Sequence, residues 1–430
     1  MKRKLLIIFC IFSLICFQSI SYADDEIDEL EVNDVNNIIE ASAKLEEDLK
    51  INSGIAVAYD RETGLKIWGK DEDKKTAMAS TTKIMTAIVV IENSNLDDVI
   101  EVSKKAAWTG GSKLGLKTGD KISVSDLLYG LMLRSGNDSA VALAEHVGGS
   151  VEGFAELMNQ KAKELNLRCT HFVTPHGLDN PEHYTTAMEL AKIADYALNN
   201  EIFAKIVKTK STTVYINGNP KSINNTNELL GNFSGVYGVK TGFTDNAGRC
   251  LVTAVKNDKF NIITVVIQAD TKKDRTNDSV KLINYIFNNY EKINIEEMVN
   301  EDFQNWLNIN KSRIHINKAK NNEVSIEKSK QKNINIIFKK SDLTDINIQI
   351  NAIFEYEAPV ANKTKVGEIK IYIGEELLET IDIFFDNQIN AKDFNDYIND
   401  CIKVITDIIW NEEFLWFYNL HNIWYTKSST

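Results

Sequence analysis

The stretch Ala77-Met78-Ala79-Ser80-Thr81-Thr82-Lys83-Ile84-Met85-Thr86-Ala87 places a serine three residues before a lysine, at the start of an apolar run with helical spacing. Residues three apart in a helix lie on the same face, so the two side chains can meet. An amine there can take the proton of a serine, which is otherwise a weak nucleophile at neutral pH. The pattern predicts a reactive pair, Ser80 and Lys83. The alternative is a serine that only caps the helix.

The whole chain has 430 residues, enough for two domains, and carries a formal net charge of -12. This acidic balance argues against nucleic acid as a partner. Beyond the N-terminal segment the cysteines are Cys169, Cys250 and Cys401, and their wide, odd spacing fits neither a disulfide framework nor a zinc site. The histidines form no i, i+4 pair beside a carboxylate cluster. We therefore expect no metal ion, and the serine–lysine chemistry predicted above needs no cofactor.

The N-terminus is typical of a secretory signal. Lys2-Arg3-Lys4 precede an apolar stretch at residues 5–17, and Ser21-Tyr22-Ala23 offers a small-x-small cleavage site. We predict a signal peptide at residues 1–23 and an exported, extracytoplasmic protein. The alternative, an uncleaved membrane anchor, fits the short apolar core less well.

Helical patterns and short β-branched runs share the next part of the chain. Strand-like runs lie near both ends, at residues 54–68 and 236–269, and a helical pattern closes the segment at 278–290. This arrangement predicts an α+β domain at residues 24–292, with an antiparallel sheet and flanking helices. Within it we expect Ser125 to cap a helix that reaches Met132.

From about residue 295 apolar and polar residues alternate strictly, which predicts a small all-β domain at 293–390. The tail, residues 391–430, has apolar residues every three or four positions and then aromatic ones, which predicts an amphipathic helix. Two interpretations stay open: a helix on the membrane surface, or one packed on the β-domain or a partner. The polar face carries mainly aspartates, which anionic lipid would repel, and no apolar run is long enough to span a bilayer.

Two later motifs join the Ser80–Lys83 pair. Ser135-Gly136-Asn137 combines a hydroxyl with an amide at a helix junction, and Lys240-Thr241-Gly242 puts a cation and a hydroxyl at the end of a β-run. The glycine allows close backbone approach to a ligand. A second Lys-Thr-Gly, Lys117-Thr118-Gly119, lies among turn glycines and is interpreted as a surface turn. The three motifs in this order strongly indicate nucleophilic serine chemistry.

At these residues the chain resembles the low-molecular-mass penicillin-binding proteins, serine-type D-Ala-D-Ala carboxypeptidases of the S11 type. Other family-like stretches are Ser135-Gly-Asn-Asp138, Thr174-Pro-His-Gly-Leu-Asp179, Gly238-Val-Lys-Thr-Gly-Phe-Thr244, Ala247-Gly-Arg249 and Ala269-Asp-Thr-Lys-Lys-Asp-Arg275. The resemblance implies a β-lactamase/transpeptidase-like domain with a helical subdomain. It also implies removal of the terminal D-Ala from peptidoglycan stem pentapeptides, acylation by β-lactam antibiotics, and a place in the cell wall or at the outer face of the cytoplasmic membrane.

The resemblance implies roles for five of the motif residues: Ser80, Lys83 and Ser135 as catalytic residues, and Asn137 and Lys240 as substrate-binding residues. Ser80 would attack the peptide carbonyl and form an acyl-enzyme, and Lys83, kept neutral by its surroundings, would act as the base. Ser135 would relay the proton to the departing D-Ala nitrogen. Asn137 would bind the substrate amide and steady Lys83, while Lys240 would tune the field near Ser135.

Recognition of the terminal carboxylate is assigned by the same resemblance to Thr241 and Arg275. Beside Gly242, the backbone N–H of Phe243 would form an oxyanion hole together with the N–H of Ser80. A solvated strand-end lysine at Lys240 and a surface ion pair at Arg275 are the alternatives.

Three other functions stay open: a β-lactamase, a D,D-endopeptidase, and a non-catalytic wall-binding or sensor protein. Class A β-lactamases carry a glutamate that activates the deacylating water, and Ala162 stands where that glutamate would be. Fast β-lactam hydrolysis is therefore disfavoured. Degenerate motifs would indicate a sensor, and here all three motifs are intact.

Overall fold

The structure, a computed structural model, describes residues 32–41, 49–321, 323–330, 335–341 and 346–427. The predicted signal peptide lies outside these residues. The described chain divides into two compact units, one up to Lys292 together with Ile337–Lys340, and one formed by Ile293–Ile336 and the residues from Ser341.

The elements of the first unit follow in chain order: α1 (Val32–Ala41), β1 (Ile55–Asp60), β2 (Lys66–Lys70), a 3-10 turn (Ala79–Thr82), α2 (Lys83–Asn93), β3 (Val99–Glu101), α3 (Lys104–Trp108), β4 (Lys121–Ser123), α4 (Val124–Leu133), α5 (Asn137–Gly148), α6 (Val151–Glu164), α7 (Ala187–Leu198), α8 (Glu201–Lys208), β5 (Ser211–Ile216), β6 (Asn219–Asn224), β7 (Val236–Thr244), β8 (Gly248–Lys256), β9 (Asn261–Ala269), α9 (Lys272–Asn289) and β10 (Tyr290–Asn294).

A central antiparallel sheet has the order β2-β1-β9-β8-β7. Its inner strands are apolar on both faces because helices cover both. On one face Ala56 and Val266 belong to a cluster with Ile283 and Ile286 of α9. On the other, Val57 and Val265 join the main core with α2 and α4–α7. The predicted antiparallel sheet flanked by helices is confirmed.

The helix α2 is buried over its first eight residues, from Lys83 to Val90, and so forms the centre of the helical layer. Our prediction that Ser125 caps the helix α4 is wrong. Ser123 caps it, and the Ser123 hydroxyl accepts a hydrogen bond from the backbone N–H of Asp126 at 3.0 Å. A serine three residues before an acidic residue is the usual capping spacing, and Ser123 has it.

The second unit contains α10 (Ile295–Asn310), a 3-10 turn (Lys311–Arg313), β11 (His315–Asn317), β12 (Ile326–Lys328), the start of β13 (Asn335–Lys339), β14 (Ile346–Ala352), β15 (Glu355–Glu357), β16 (Lys365–Ile373), β17 (Glu376–Phe385) and α11 (Phe394–Lys427); from Ile337 on, β13 belongs to the first unit. An antiparallel sheet has the order β12-β17-β16-β14. Ile369, Ile371, Ile381 and Ile383 point from it into one core, as strict alternation predicts.

This unit differs from the sequence prediction at its start. Residues 295–310 form a helix rather than the beginning of a β-domain, with the Asn294 side chain as its cap and Val299 and Phe303 buried. Its apolar residues recur at the four-residue helical spacing. The predicted tail helix is present as α11. None of the described helices is both long enough and apolar enough to cross a membrane.

Candidate active site

Ser80 lies in the 3-10 turn that leads into α2. Ala79 just before it has a φ of +47°, a conformation that residues with a side chain rarely adopt. The Thr82 hydroxyl donates to the Ala79 carbonyl at 2.7 Å and helps to close the turn. The helix α2 has no side-chain cap, so the capping alternative for Ser80 does not apply.

Lys83 joins three segments of the chain through its amino group. Its Nζ lies 2.8 Å from the Ser80 Oγ, 2.7 Å from the Asn137 Oδ1 and 2.9 Å from the His176 carbonyl oxygen. The side chain is fully buried. The predicted contact between Ser80 and Lys83 is therefore present, and the structure adds a backbone carbonyl that no sequence pattern indicated.

The Asn137 amide has a defined orientation. Its Nδ2 donates to the Gly110 carbonyl at 2.7 Å, and a carbonyl can only accept, so the Oδ1 must face Lys83. The amide thereby couples the lysine to the loop that carries Gly110.

Ser135 stands two residues before Asn137 in a backbone conformation with φ of +57°. The residue is buried, and within the described residues its Oγ has no hydrogen-bond partner. A buried hydroxyl without a partner is uncommon and costs free energy. The Ser135 hydroxyl therefore keeps unused hydrogen-bonding capacity, and its role as a proton relay stays a prediction.

The strand β7 carries the third motif against the Ser80 turn. A Cβ atom placed on Gly242 would lie 3.1 Å from the Ser80 backbone nitrogen, so the glycine permits this close approach. Lys240 is buried, and its Nζ donates to the Thr241 carbonyl at 2.9 Å. The Phe243 ring lies under the Arg249 guanidinium, 4.0 Å from the ring centre.

Thr241 contacts a segment that the sequence did not single out. The Thr241 and Thr226 hydroxyl oxygens are 2.8 Å apart, and the Thr226 N–H donates to the Leu133 carbonyl at 3.1 Å. Because Leu133 comes two residues before Ser135, Thr226 bridges the second and third motifs.

Arg275 is fully buried and forms an ion pair with Glu228, whose carboxylate also accepts from the Thr276 hydroxyl. The structure thus gives this arginine a protein carboxylate as a partner. The alternative, an ion pair at the protein surface, is wrong because the Arg275 side chain is buried. Its role toward a substrate carboxylate stays a prediction.

The other Lys-Thr-Gly, at residues 117–119, forms an exposed turn. The Lys117 N–H donates to the Asp120 carboxylate at 2.7 Å and the Gly119 N–H to the Val102 carbonyl at 2.8 Å. These two motifs with the same residues therefore differ completely in their surroundings.

That difference makes a matched pair of variants. Lys240→Ala should lower the rate of penicillin acylation by about 100-fold or more, because it removes a buried cation beside Thr241. Lys117→Ala should leave the rate within about two-fold, since exposed substitutions of this kind have little effect. Stopped-flow acylation by a fluorescent penicillin measures both; equal losses, or the larger loss at Lys117, would reverse the assignment.

The loop at residues 174–179 packs on the Ser80 turn, and no role was predicted for it. A Cβ on Gly177, whose φ is +84°, would lie 1.9 Å from the Ala79 carbonyl oxygen. The Thr86 hydroxyl donates to the Pro175 carbonyl at 2.7 Å, and the Thr244 hydroxyl to the Asp179 carboxylate at 2.6 Å. The loop therefore connects α2 with the end of β7.

His176 within this loop and His183 beside it are neutral at pH 7. Burial, together with the effect of a protonated Lys83 nearby, lowers the pKa of His176 to about 3. Burial lowers the pKa of His183 to about 4. The Thr82 hydroxyl gives its proton to Ala79, so it must accept from the His183 Nε2 at 2.8 Å, while the His183 Nδ1 accepts from the Val173 N–H at 3.0 Å. This pattern needs the neutral ring.

The pKa of His183 predicts an acid-sensitive first unit. The unfolded chain binds a proton below about pH 6.5 and the folded chain only below about pH 4, so stability falls as the pH falls between these values. From pH 7 to pH 5 we expect His183 to lower the free energy of unfolding by about 2 kcal/mol. In urea unfolding of His183→Gln, the free energy of unfolding should therefore fall by about 2 kcal/mol less between pH 7 and pH 5 than it does in the unsubstituted chain. An unchanged pH dependence in His183→Gln would contradict the neutral, buried state of that ring.

Within the described residues no group of three or more His, Cys, Asp or Glu side chains is arranged to hold a metal ion. The groups that the structure brings together around Ser80 are the Ser80 and Ser135 hydroxyls, the Lys83 and Lys240 amino groups and nearby backbone amides.

Both units of the chain are similar to known protein families. The sequence model for D-alanyl-D-alanine carboxypeptidase matches residues 41–271, and that for the penicillin-binding protein 5 C-terminal domain matches residues 310–391. D-alanyl-D-alanine carboxypeptidase DacF of Bacillus subtilis (strain 168) is 32% identical over 329 residues, which cover 75% of this chain and 82% of that protein. The D-alanyl-D-alanine carboxypeptidase of Streptomyces sp. (strain K15) is 38% identical over 248 residues, covering 54% and 85%.

Solved structures agree with these matches. The D-alanyl-D-alanine carboxypeptidase DacD from Francisella tularensis superimposes with a TM-score of 0.62 at 28% identity, covering 81% of this chain and 96% of that one. The Streptomyces K15 DD-transpeptidase superimposes with a TM-score of 0.54 at 36% identity, covering 56% and 98%. The predicted fold class is confirmed, and the chain belongs to the D-alanyl-D-alanine carboxypeptidase family of serine hydrolases.

Proposed function

We propose that this chain removes the terminal D-Ala from peptidoglycan stem peptides through an acyl-enzyme on Ser80. The observation that carries the proposal is the Lys83 Nζ, buried and 2.8 Å from the Ser80 Oγ. In its neutral form this amine can accept the serine proton as the Oγ bonds to the carbonyl carbon of the penultimate D-Ala. The proton then passes through Ser135 to the D-Ala nitrogen as the C–N bond breaks, and water later releases the acyl group.

The place of the substrate follows from the edge of the central sheet. Within the described sheet β7 pairs with β8 alone, so its other edge can take an extended peptide as an added strand. Gly242 brings that edge against the Ser80 turn, so the Ser80 and Phe243 N–H groups can stabilise the oxyanion. Thr241 and Arg275 are proposed to bind the terminal carboxylate, and a requirement for that carboxylate would make the enzyme exo-acting.

Release of D-Ala from a diacyl-Lys-D-Ala-D-Ala peptide tests the proposal. We expect one D-Ala to be released from each peptide that reacts, and we expect penicillin to label the protein covalently. A matched peptide with an amidated C-terminus should react far more slowly, because it lacks the carboxylate. No label and no D-Ala release would refute the proposed function.

Transfer to an amine is a second candidate outcome for the same acyl-enzyme. The Streptomyces K15 relative is described both as a D-alanyl-D-alanine carboxypeptidase and as a DD-transpeptidase. Adding glycylglycine to the peptide assay separates the two fates, since transfer yields an elongated product and hydrolysis yields the free acid. Penicillin should be released slowly, because Ala162 of α6 provides no carboxylate for a deacylating water.

We also propose that the protein is exported and acts at the outer face of the membrane, supported by the signal-like residues 1–23 and by the tail. Along α11 apolar side chains are exposed, including Phe394 at 77%, Ile402 at 53% and Trp410 at 72%. Such exposure fits a helix lying in the membrane interface. Membrane fractionation of the exported protein with and without residues 392–430 tests this; equal recovery in the soluble fraction would instead favour a protein partner.

A further inference from the structure

Asp138 follows Asn137 directly and is a fully buried carboxylate. It accepts four backbone hydrogen bonds, three of them from one loop: from the N–H groups of Leu114 and Gly115 at 2.8 Å, of Leu116 at 3.0 Å and of Ser139 at 2.9 Å. Hydrogen bonds to a charged acceptor are stronger than neutral ones. Asp138 thereby fixes the segment at residues 110–116, here called the glycine loop.

The glycine loop in turn holds Asn137. The Asn137 backbone N–H donates to the Ser112 carbonyl at 2.8 Å, and its Nδ2 donates to the Gly110 carbonyl at 2.7 Å. Asp138 thus binds the end of the loop at residues 114–116. The other end, at Gly110, determines which way the Asn137 amide faces. The Lys221 amino group adds a bond to the Leu114 carbonyl from the outer side.

An amide side chain has two nearly equal orientations that differ by exchange of oxygen and nitrogen. The Gly110 carbonyl selects the one in which the Oδ1 faces the Lys83 Nζ at 2.7 Å. If the loop moved away, the amide could turn and present its NH₂ group to the lysine, which would lose this acceptor. A small displacement of a reacting group can reduce a rate by about 100-fold.

We propose that Asp138 is a positioning residue for the reaction: through the glycine loop it holds the Gly110 carbonyl where it orients the Asn137 amide toward Lys83. This inference rests on the proposed function, because it assigns a means of keeping the base in place. Asp138 itself is shielded from the substrate by its four backbone partners.

Asp138→Asn tests the proposal, because it keeps the shape of the side chain but turns an NH₂ toward two backbone N–H groups, at least one of which belongs to the loop. We expect the second-order rate constant for penicillin acylation to fall by about 10-fold to 100-fold. In an Asn137→Ala background the same substitution should cause no further loss, because the orientation it protects is then absent. Asp120→Asn is the control, since Asp120 also accepts an N–H from the nearby turn but does not hold Asn137.

Lys221→Met gives an independent test should Asp138→Asn fold poorly. Lys221 is exposed, and its loss loosens the same loop from outside. A fall in acylation that disappears in the Asn137→Ala background supports the proposal. A loss of equal size in both backgrounds would overturn it, since Asp138 and Lys221 would then act through general stability. Absence of acylation in the unsubstituted chain would instead refute the proposed function.

Discussion

Ser80→Ala should abolish both D-Ala release and covalent penicillin labelling, a loss of about 10 000-fold or more. The reason is chemical: without the Oγ no acyl-enzyme can form, whereas the rest of the site is unchanged. The stability of the variant should differ little from that of the unsubstituted chain, because the Ser80 hydroxyl contacts the Lys83 Nζ and caps no helix. Denaturant unfolding and gel fluorescence with a labelled penicillin measure the two quantities.

Ser150→Ala is the matched control for this prediction. The Ser150 hydroxyl caps α6 by accepting from the Gly153 N–H at 2.9 Å. Its removal should lower the free energy of unfolding by about 1 kcal/mol and leave labelling intact. If Ser80→Ala behaved like Ser150→Ala, then Ser80 would be a structural serine and the mechanism would be wrong.

Lys83→Met should reduce the acylation rate by about 1 000-fold to 10 000-fold. Methionine fills most of the buried space but cannot accept the Ser80 proton. It also leaves the Asn137 Oδ1 and the His176 carbonyl without this donor, which should cost about 1–3 kcal/mol of stability. The acylation rate at saturating penicillin is the decisive measurement, because it separates the chemical step from binding.

Lys161→Met separates the chemical loss from the structural one. Lys161 is a partly buried lysine away from the motifs, and it bonds to Glu92 near the end of α2 and to Glu164 of its own helix, α6. Its loss should destabilise the protein without lowering the acylation rate. Equal rates in the two variants would show that Lys83 is needed only for the fold.

Much of this site could be predicted from the sequence because its side chains carry the chemistry. The spacing of Ser80 and Lys83 predicted their contact, and the strand setting of Lys240 separated it from Lys117. The proximity of Asn137 to Lys83, which are 54 residues apart, came from the family resemblance. The alternating residues of β14 and β16 likewise predicted a half-buried sheet, whereas the helix α10 was missed beside them.

The remaining features depend on backbone groups, which every residue possesses. The His176 and Gly110 carbonyls that hold Lys83 and Asn137 have no side-chain pattern that could reveal them. The buried role of Asp138 was missed for the same reason, since its partners are backbone N–H groups of a distant loop. The Ser125 prediction failed because two serines stood within two residues of the true start of α4.

Peptide mapping by mass spectrometry after reaction with penicillin identifies the residue that forms the acyl-enzyme. The mechanism predicts one penicilloyl adduct per chain, on the peptide that contains Ser80, with D-Ala release blocked in proportion to its formation. An adduct on another serine, or full D-Ala release from a chain fully acylated at Ser80, would contradict it.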